Sequence, residues 1–83
     1  MATWEDLLVW QKAHKLVLAI YKLTSKFPES EKWGLSSQLR RSITSVPSNI
    51  VEGKSRKTDK VFLHFLHIAR GSLEEARYFL LLS

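Results

Sequence analysis

The sequence contains no cysteine, only three glycines and two prolines, and no long apolar run. Without cysteine, a disulfide framework and a thiolate metal site are excluded. The glycines are isolated from one another, which excludes a glycine-rich loop that cradles nucleotide phosphates. No run approaches the ~20 apolar residues that a membrane helix requires. The acidic start, MATWEDLL, lacks the basic region of a secretory signal, so we expect a cytoplasmic protein.

The residues that are present suffice for one small domain. Hydrophobic residues make up 45% of the 83 residues, which excludes a disordered segment. A domain of this size buries only about 60–65% of its unfolded surface, so its own core is marginal. We therefore expect a single helical domain over residues 1–83 that is stabilised by assembly with copies of itself.

The spacing of apolar residues predicts three helices, over about residues 4–27, 35–53 and 58–82. Thr3 is predicted to cap the first helix. Pro28 is predicted to end it, because the ring of a proline disfavours helical geometry in the residue before it. Gly53 is predicted to cap the end of the second helix. The third helix closes on the uncapped apolar stretch RYFLLLS, so we expect that a fourth helix is truncated.

Pro47 lies inside the predicted second helix. The apolar residues Ile43, Val46 and Ile50 keep their helical phase across it, which predicts a kinked helix rather than a break. Nearby serine and threonine hydroxyls are expected to bond the carbonyl groups that proline leaves free. Three helices with short connections predict an all-α fold, an antiparallel up-and-down bundle.

Two features predict an interface between subunits. The first helix is apolar on two sides, which indicates that it is buried on two sides. Small side chains surround Pro47, so another helix can approach closely. The residues predicted to lie at the interface are Trp10, Leu18, Ser45, Pro47 and Ser48.

The excess positive charge lies in the middle of the chain, where residues 34–60 contain six basic and two acidic residues. A basic cluster of this kind favours a polyanionic partner, with nucleic acid as the first candidate. The predicted nucleic-acid-binding residues are Arg40, Arg41, Lys54, Arg56, Lys57 and Lys60. The alternative is a solvated surface that only keeps the protein soluble. A helix-turn-helix is disfavoured, because Pro47 would interrupt its recognition helix.

The sequence carries no recognisable catalytic or metal-binding pattern. His64 and His67 are three residues apart, and His14 belongs to another helix, which is typical of solvated histidines rather than ligands. The serines have no nucleophile elbow, and no arginine precedes a histidine at the four-to-six-residue spacing of helical ribonucleases. We therefore expect no enzymatic activity, no metal and no cofactor.

Two segments resemble a known family. FPESEKWGLSSQLRRSITSVPSNIVEGKSRKT, followed by FLHFLHIARGSLEEARYFL, is similar to the bacterial four-helix-bundle family of 23S rRNA intervening-sequence proteins. The most specific blocks are PSNIVEG, at residues 47–53, and ARGSL, at residues 69–73. The resemblance implies an antiparallel four-helix bundle that assembles into a ring, typically a homopentamer. It also implies kinship with an accessory protein of diversity-generating retroelements, which binds a reverse transcriptase and nucleic acid.

Together these observations predict a non-enzymatic oligomeric bundle protein. It would bind nucleic acid, such as rRNA, or a nucleic-acid enzyme, through its basic surface. The alternative is a structural or protein-interaction module with no nucleic-acid role. That alternative predicts that charge reversal at Arg40, Arg41 and Arg56 leaves every interaction of the protein intact.

Overall fold

The computed structural model describes residues 3–83, and these residues are helical with no β-strand. Three α-helices follow one another: α1 (Leu8–Thr24), α2 (Leu35–Lys54) and α3 (Asp59–Leu82). Short 3₁₀ turns, Trp4–Asp6 and Glu29–Glu31, precede α1 and α2. The all-α class predicted from the sequence is confirmed. Residues 1 and 2, which the predicted domain includes, lie outside the described residues.

The first helix is shorter than predicted at both ends. Leu7 has extended geometry, with φ −75° and ψ 126°, and separates α1 from the 3₁₀ turn before it. Thr3 belongs to that turn, where its N–H donates to Asp6 Oδ2 at 3.1 Å, and it does not cap α1. The helix ends at Thr24, three residues short of the predicted end, ahead of the constraint that Pro28 places on Phe27.

The second helix runs continuously through Pro47. The hydroxyl groups around the proline donate to carbonyl oxygens of their own helix: Ser42 to Leu39 O, and Thr44 to Arg40 O. Among residues 3–83, no side chain donates to the Ile43 carbonyl that Pro47 leaves without its usual partner, contrary to expectation. Continuity instead comes from burial on both sides of Pro47, which offsets the cost of a proline in a helix.

The second helix is also the centre of the core. Its buried apolar residues are Leu39, Ile43, Val46 and Ile50. From α1 the buried core contains Ala13 and Ile20, and from α3 it contains Ala69 and Ala76. Every Cα atom of α1 lies more than 8 Å from every Cα atom of α3, so α2 is the layer that joins them.

Each end of α2 meets a different part of the chain. At its C-terminal end, Gly53 is buried inside the helix, where a Cβ atom would lie 2.7 Å from Phe65 Cβ. The prediction that Gly53 caps the helix is therefore wrong: α2 continues to Lys54, and no described glycine has a positive φ. At its N-terminal end, Leu35 and Pro28 line a small cavity with Leu82, the last residue of α3.

An apolar groove separates α1 from α3 on one side of α2. It has a volume of about 320 Å³ and is lined by Val9, Val46, Leu66, Ala69, Arg70 and Leu73. Apolar side chains elsewhere on α1 are also exposed, among them Leu8, Leu18 and Leu23. Within residues 3–83, no helix is both long enough and apolar enough to cross a membrane.

Candidate nucleic-acid interface

The six basic residues predicted to bind nucleic acid fall into two groups along α2. Arg40 and Arg41 lie in its N-terminal half, whereas Lys54 is its last residue. At 1.5 Å per residue, Arg40 and Lys54 are about 20 Å apart along the helix axis. The structure therefore does not gather the six residues into one patch.

Four of the six do come together at the connection between α2 and α3, which we call the basic turn: Lys54, Arg56, Lys57 and Lys60. All four are exposed. Arg56 pairs with Glu52 on the preceding turn of α2 and lies 5.3 Å from the centre of the Phe65 ring. The ammonium group of Lys54 lies 5.9 Å from the centre of the Phe62 ring.

The two remaining members of the basic turn keep their charges available. Within residues 3–83, the ion pairs join Lys32 to Glu29, Arg56 to Glu52 and Arg77 to Glu74. Lys57 and Lys60 belong to none of these pairs, so an incoming anion has no carboxylate to displace from them. The turn is closed by Thr58, whose Oγ1 accepts the Val61 N–H at 3.2 Å and caps α3.

Arg40 has a structural environment that the sequence did not predict. Its Nε donates to Thr24 Oγ1 at 2.7 Å, and one Nη group donates to Tyr21 O at 3.2 Å. The guanidinium also lies 4.4 Å from the centre of the Tyr21 ring. Thr24 in turn donates to Ile20 O at 2.8 Å. These contacts tie the end of α1 to the start of α2, while neighbouring Arg41 is exposed.

The five residues predicted at a subunit interface differ in their availability. Leu18 is 56% exposed, and Ser48 is also exposed, so both are free to contact another molecule. Ser45 and Pro47 are half-buried, and the Ser45 hydroxyl donates to Ser42 O of its own helix.

Trp10, the fifth of these residues, is half-buried in an aromatic stack of the chain itself. Its ring centre lies 4.8 Å from that of Trp4, in an edge-to-face arrangement. On its other side it is nearly parallel to the His14 ring, at 5.1 Å. Part of the Trp10 ring is thus already covered, so any interface contact uses its remaining surface.

A second candidate site, which the sequence does not predict, lies at the connection between α1 and α2. It is a cavity of about 350 Å³, lined by Thr24, Ser25, Phe27, Pro28, Glu29, Lys32, Trp33, Ser36, Ser37 and Arg40. Trp33 is 86% exposed, and the Lys32 ammonium lies 5.5 Å from its ring centre. The sequence signal for this site is a tryptophan between a lysine and a glycine, outside the apolar periodicity of both helices.

The described residues contain no group of three or more histidine, cysteine, aspartate or glutamate side chains placed to hold a metal ion. His14 stacks on Trp10, and the His64 ring meets Phe65 edge to face at 5.7 Å. Two of the three histidines, His14 and His64, thus lie against aromatic rings.

A protein-family model matches most of the chain. The family described as 23S rRNA-intervening sequence protein matches residues 5–83. The match includes all three helices, the basic turn and the Trp33 cavity. No curated protein matches the chain.

Proposed function

The chain belongs to the family of 23S rRNA-intervening sequence proteins. From this premise we propose that it is a non-enzymatic, oligomeric bundle protein that binds nucleic acid through the basic turn. The observation that carries the proposal is the group of four exposed cations at the connection between α2 and α3. Three of them, Lys54, Lys57 and Lys60, have no carboxylate partner in the described residues. Phosphate groups are the natural ligands of such a group, and they would give affinity without sequence specificity.

The capped start of α3 supports the same surface. Thr58 fixes the turn, and the first N–H groups of α3 lie beside Lys57 and Lys60 in sequence. The first turn of a helix favours anions because its N–H groups lack intrahelical acceptors. A phosphate at the basic turn could thus be met by side-chain cations and by backbone donors together.

We propose further that the protein is a homo-oligomer, with a pentameric ring as the arrangement that the family resemblance implies. Exposed apolar residues on α1, such as Leu18, and the groove between α1 and α3 support association. Contiguous apolar surface of this kind is typical of protein interfaces. The further details of the fold that we propose are an antiparallel four-helix bundle and a bend of α2 at Pro47.

A reverse transcriptase-like enzyme, the partner that the family resemblance implies, would bind through the same basic surface. A second candidate is a structural or protein-interaction module with no nucleic-acid role, whose cations only solubilise it. The pairing of Arg56 with Glu52 favours this reading for one member of the basic turn. Both candidates place the protein in the cytoplasm and require no cofactor. Nucleic-acid binding by the isolated protein separates them.

The double variant Lys57→Glu/Lys60→Glu should weaken binding of single-stranded RNA and DNA at low salt by at least about tenfold. Each lost phosphate contact should also reduce the slope of log affinity against log salt concentration by about one. Fluorescence anisotropy of a labelled oligonucleotide, titrated at several salt concentrations, measures both quantities.

The matched control is Lys12→Glu/Lys15→Glu, which changes the net charge equally at two exposed positions on α1. It should leave most of the affinity and the salt slope in place. Equal losses in the two double variants would show that net charge, rather than the basic turn, governs binding. Absence of binding by the unmodified protein at low salt would overturn the nucleic-acid proposal.

Native mass spectrometry tests the assembly. The unmodified chain should have the mass of a multimer of its 9.6 kDa chain, and Leu18→Glu should shift the population toward monomers because it places a charge at an apolar interface. Lys22→Glu, also an exposed position of α1, is the control and should leave the mass unchanged. A monomeric unmodified protein would contradict the proposal. Adding nucleic acid to the same samples shows whether it changes the number of chains in the oligomer.

A further inference from the structure

We propose that the cavity between the end of α1 and the start of α2 holds one nucleotide of a single-stranded nucleic acid, with its base against Trp33 and its phosphate at the first turn of α2. The inference rests on the proposed function and specifies the form of nucleic acid that the protein prefers. The cavity measures about 350 Å³, which lies within the range of sites for small ligands.

Trp33 supplies the stacking surface. It is 86% exposed, the most exposed of the large hydrophobic side chains in the described residues, and it lines the cavity. An indole in this position presents a flat apolar face beside a cation, since Lys32 Nζ lies 5.5 Å from its centre. Bases stack on such faces with little regard to sequence. In a duplex the faces of the bases are already stacked, so the site selects an unpaired base.

Ser36 indicates a polar ligand. It is only 8% exposed and lines the cavity, and its hydroxyl makes no hydrogen bond to another group among residues 3–83. No fully buried side-chain oxygen or nitrogen in those residues lacks a partner, so the Ser36 hydroxyl keeps some exposure. It is a donor without a partner on a nearly buried residue that lines the cavity.

The first turn of α2 adds backbone donors at the same place. Gly34 precedes the helix and has no side chain with which to cap it. Glu31 Oε2 accepts a hydrogen bond from the Leu35 N–H at 3.3 Å. The N–H groups of Ser36 and Ser37 belong to the first turn of α2, which lacks intrahelical acceptors. Such N–H groups bind phosphate.

Arg40 supplies a fixed positive charge. Its guanidinium is held by Thr24 and by the Tyr21 carbonyl and ring, and it lines the cavity. These bonds use two of its five N–H groups, so the others can still donate. Because the guanidinium is already held, a phosphate need not order it on binding. Glu29, on the rim, pairs with Lys32 at 3.9 Å, and so its charge is partly compensated.

The test compares two single strands of equal length, oligothymidylate and the same backbone without bases, with binding followed by fluorescence anisotropy. The unmodified protein should bind the strand with bases about tenfold more tightly than the strand without bases. Trp33→Ala should abolish this difference, and Trp33→Phe should keep most of it, because phenylalanine retains a stacking face. Circular dichroism checks that both variants fold.

The outcomes separate this site from the basic turn. Lys57→Glu/Lys60→Glu should weaken both strands by the same factor and preserve the preference for bases. If Trp33→Ala keeps that preference, or if the unmodified protein binds the two strands equally, the cavity is not a base-binding site, while the basic turn is unaffected. If Trp33→Ala instead lowers the oligomer mass, Trp33 is a subunit contact and the inference fails.

Discussion

Leu39→Ala should lower the free energy of unfolding by about 2–5 kcal/mol. Leu39 is 0% exposed and lies on α2, the helix that packs against both others, so truncation leaves a cavity that neighbouring helices cannot easily fill. A loss of this size is comparable with the whole stability of a small domain. Urea denaturation followed by far-UV circular dichroism, at a fixed protein concentration, measures it.

The control is Leu81→Ala, the same truncation in α3 at a residue that is 81% exposed. Because this side chain is mostly in water already, its loss should change the free energy of unfolding by less than about 0.5 kcal/mol. Similar losses in the two variants would mean that α2 does not form the core of the molecule in solution.

Gly53→Ala should also destabilise the protein, although alanine is the better helix former. The added Cβ would lie 2.7 Å from Phe65 Cβ and 2.9 Å from Phe62 Cδ1, and the first of these atoms cannot move without moving α3. Overpacking of this kind costs about 1–3 kcal/mol, and the gain of roughly 1 kcal/mol in helix propensity offsets only part of it. Thermal unfolding should show a lower midpoint.

Gly71→Ala is the matched substitution. Gly71 lies inside α3, and a Cβ atom there would meet no atom within 4 Å beyond its chain neighbours and the adjacent backbone of its own helix. The propensity gain is then unopposed, so the free energy of unfolding should rise by about 0.5–1 kcal/mol. The two glycine variants should therefore have opposite signs. Stabilisation by both would show that α2 and α3 do not approach closely at Gly53.

Periodicity was sufficient to predict the centre of the fold. Ile43, Val46 and Ile50 were recognised from their spacing alone, and all three are buried. Their phase also predicts that α2 continues past Pro47. A helix that buries one apolar face on both sides of a proline gains more free energy from that burial than the proline costs. This information is local, and a single sequence contains it.

Long-range contacts could not be predicted in the same way. The sequence predicts Arg40 as a nucleic-acid-binding residue, but its hydrogen-bond partner Thr24 lies sixteen residues earlier, and nothing in the sequence pairs them. The sequence predicts Gly53 as a helix cap because glycine commonly ends helices, whereas its role depends on Phe65 in the next helix. The Trp33 cavity is formed by two helices and the turn between them, so it became visible only once the chain was folded.

Within a single chain, the separation of the α1 and α3 backbones by more than 8 Å allows α1 to open independently of α3. Separation of α1 from α2 leaves the packing of α2 on α3 intact, whereas removal of α3 exposes the end of α2 around Gly53. Native-state hydrogen exchange should therefore occur first in the amides of α1, through a partial opening that is cheaper than global unfolding. The hydrogen bond from Arg40 Nε to Thr24 Oγ1 joins the end of α1 to α2 and opposes that opening, which would expose the apolar face of α2 to water.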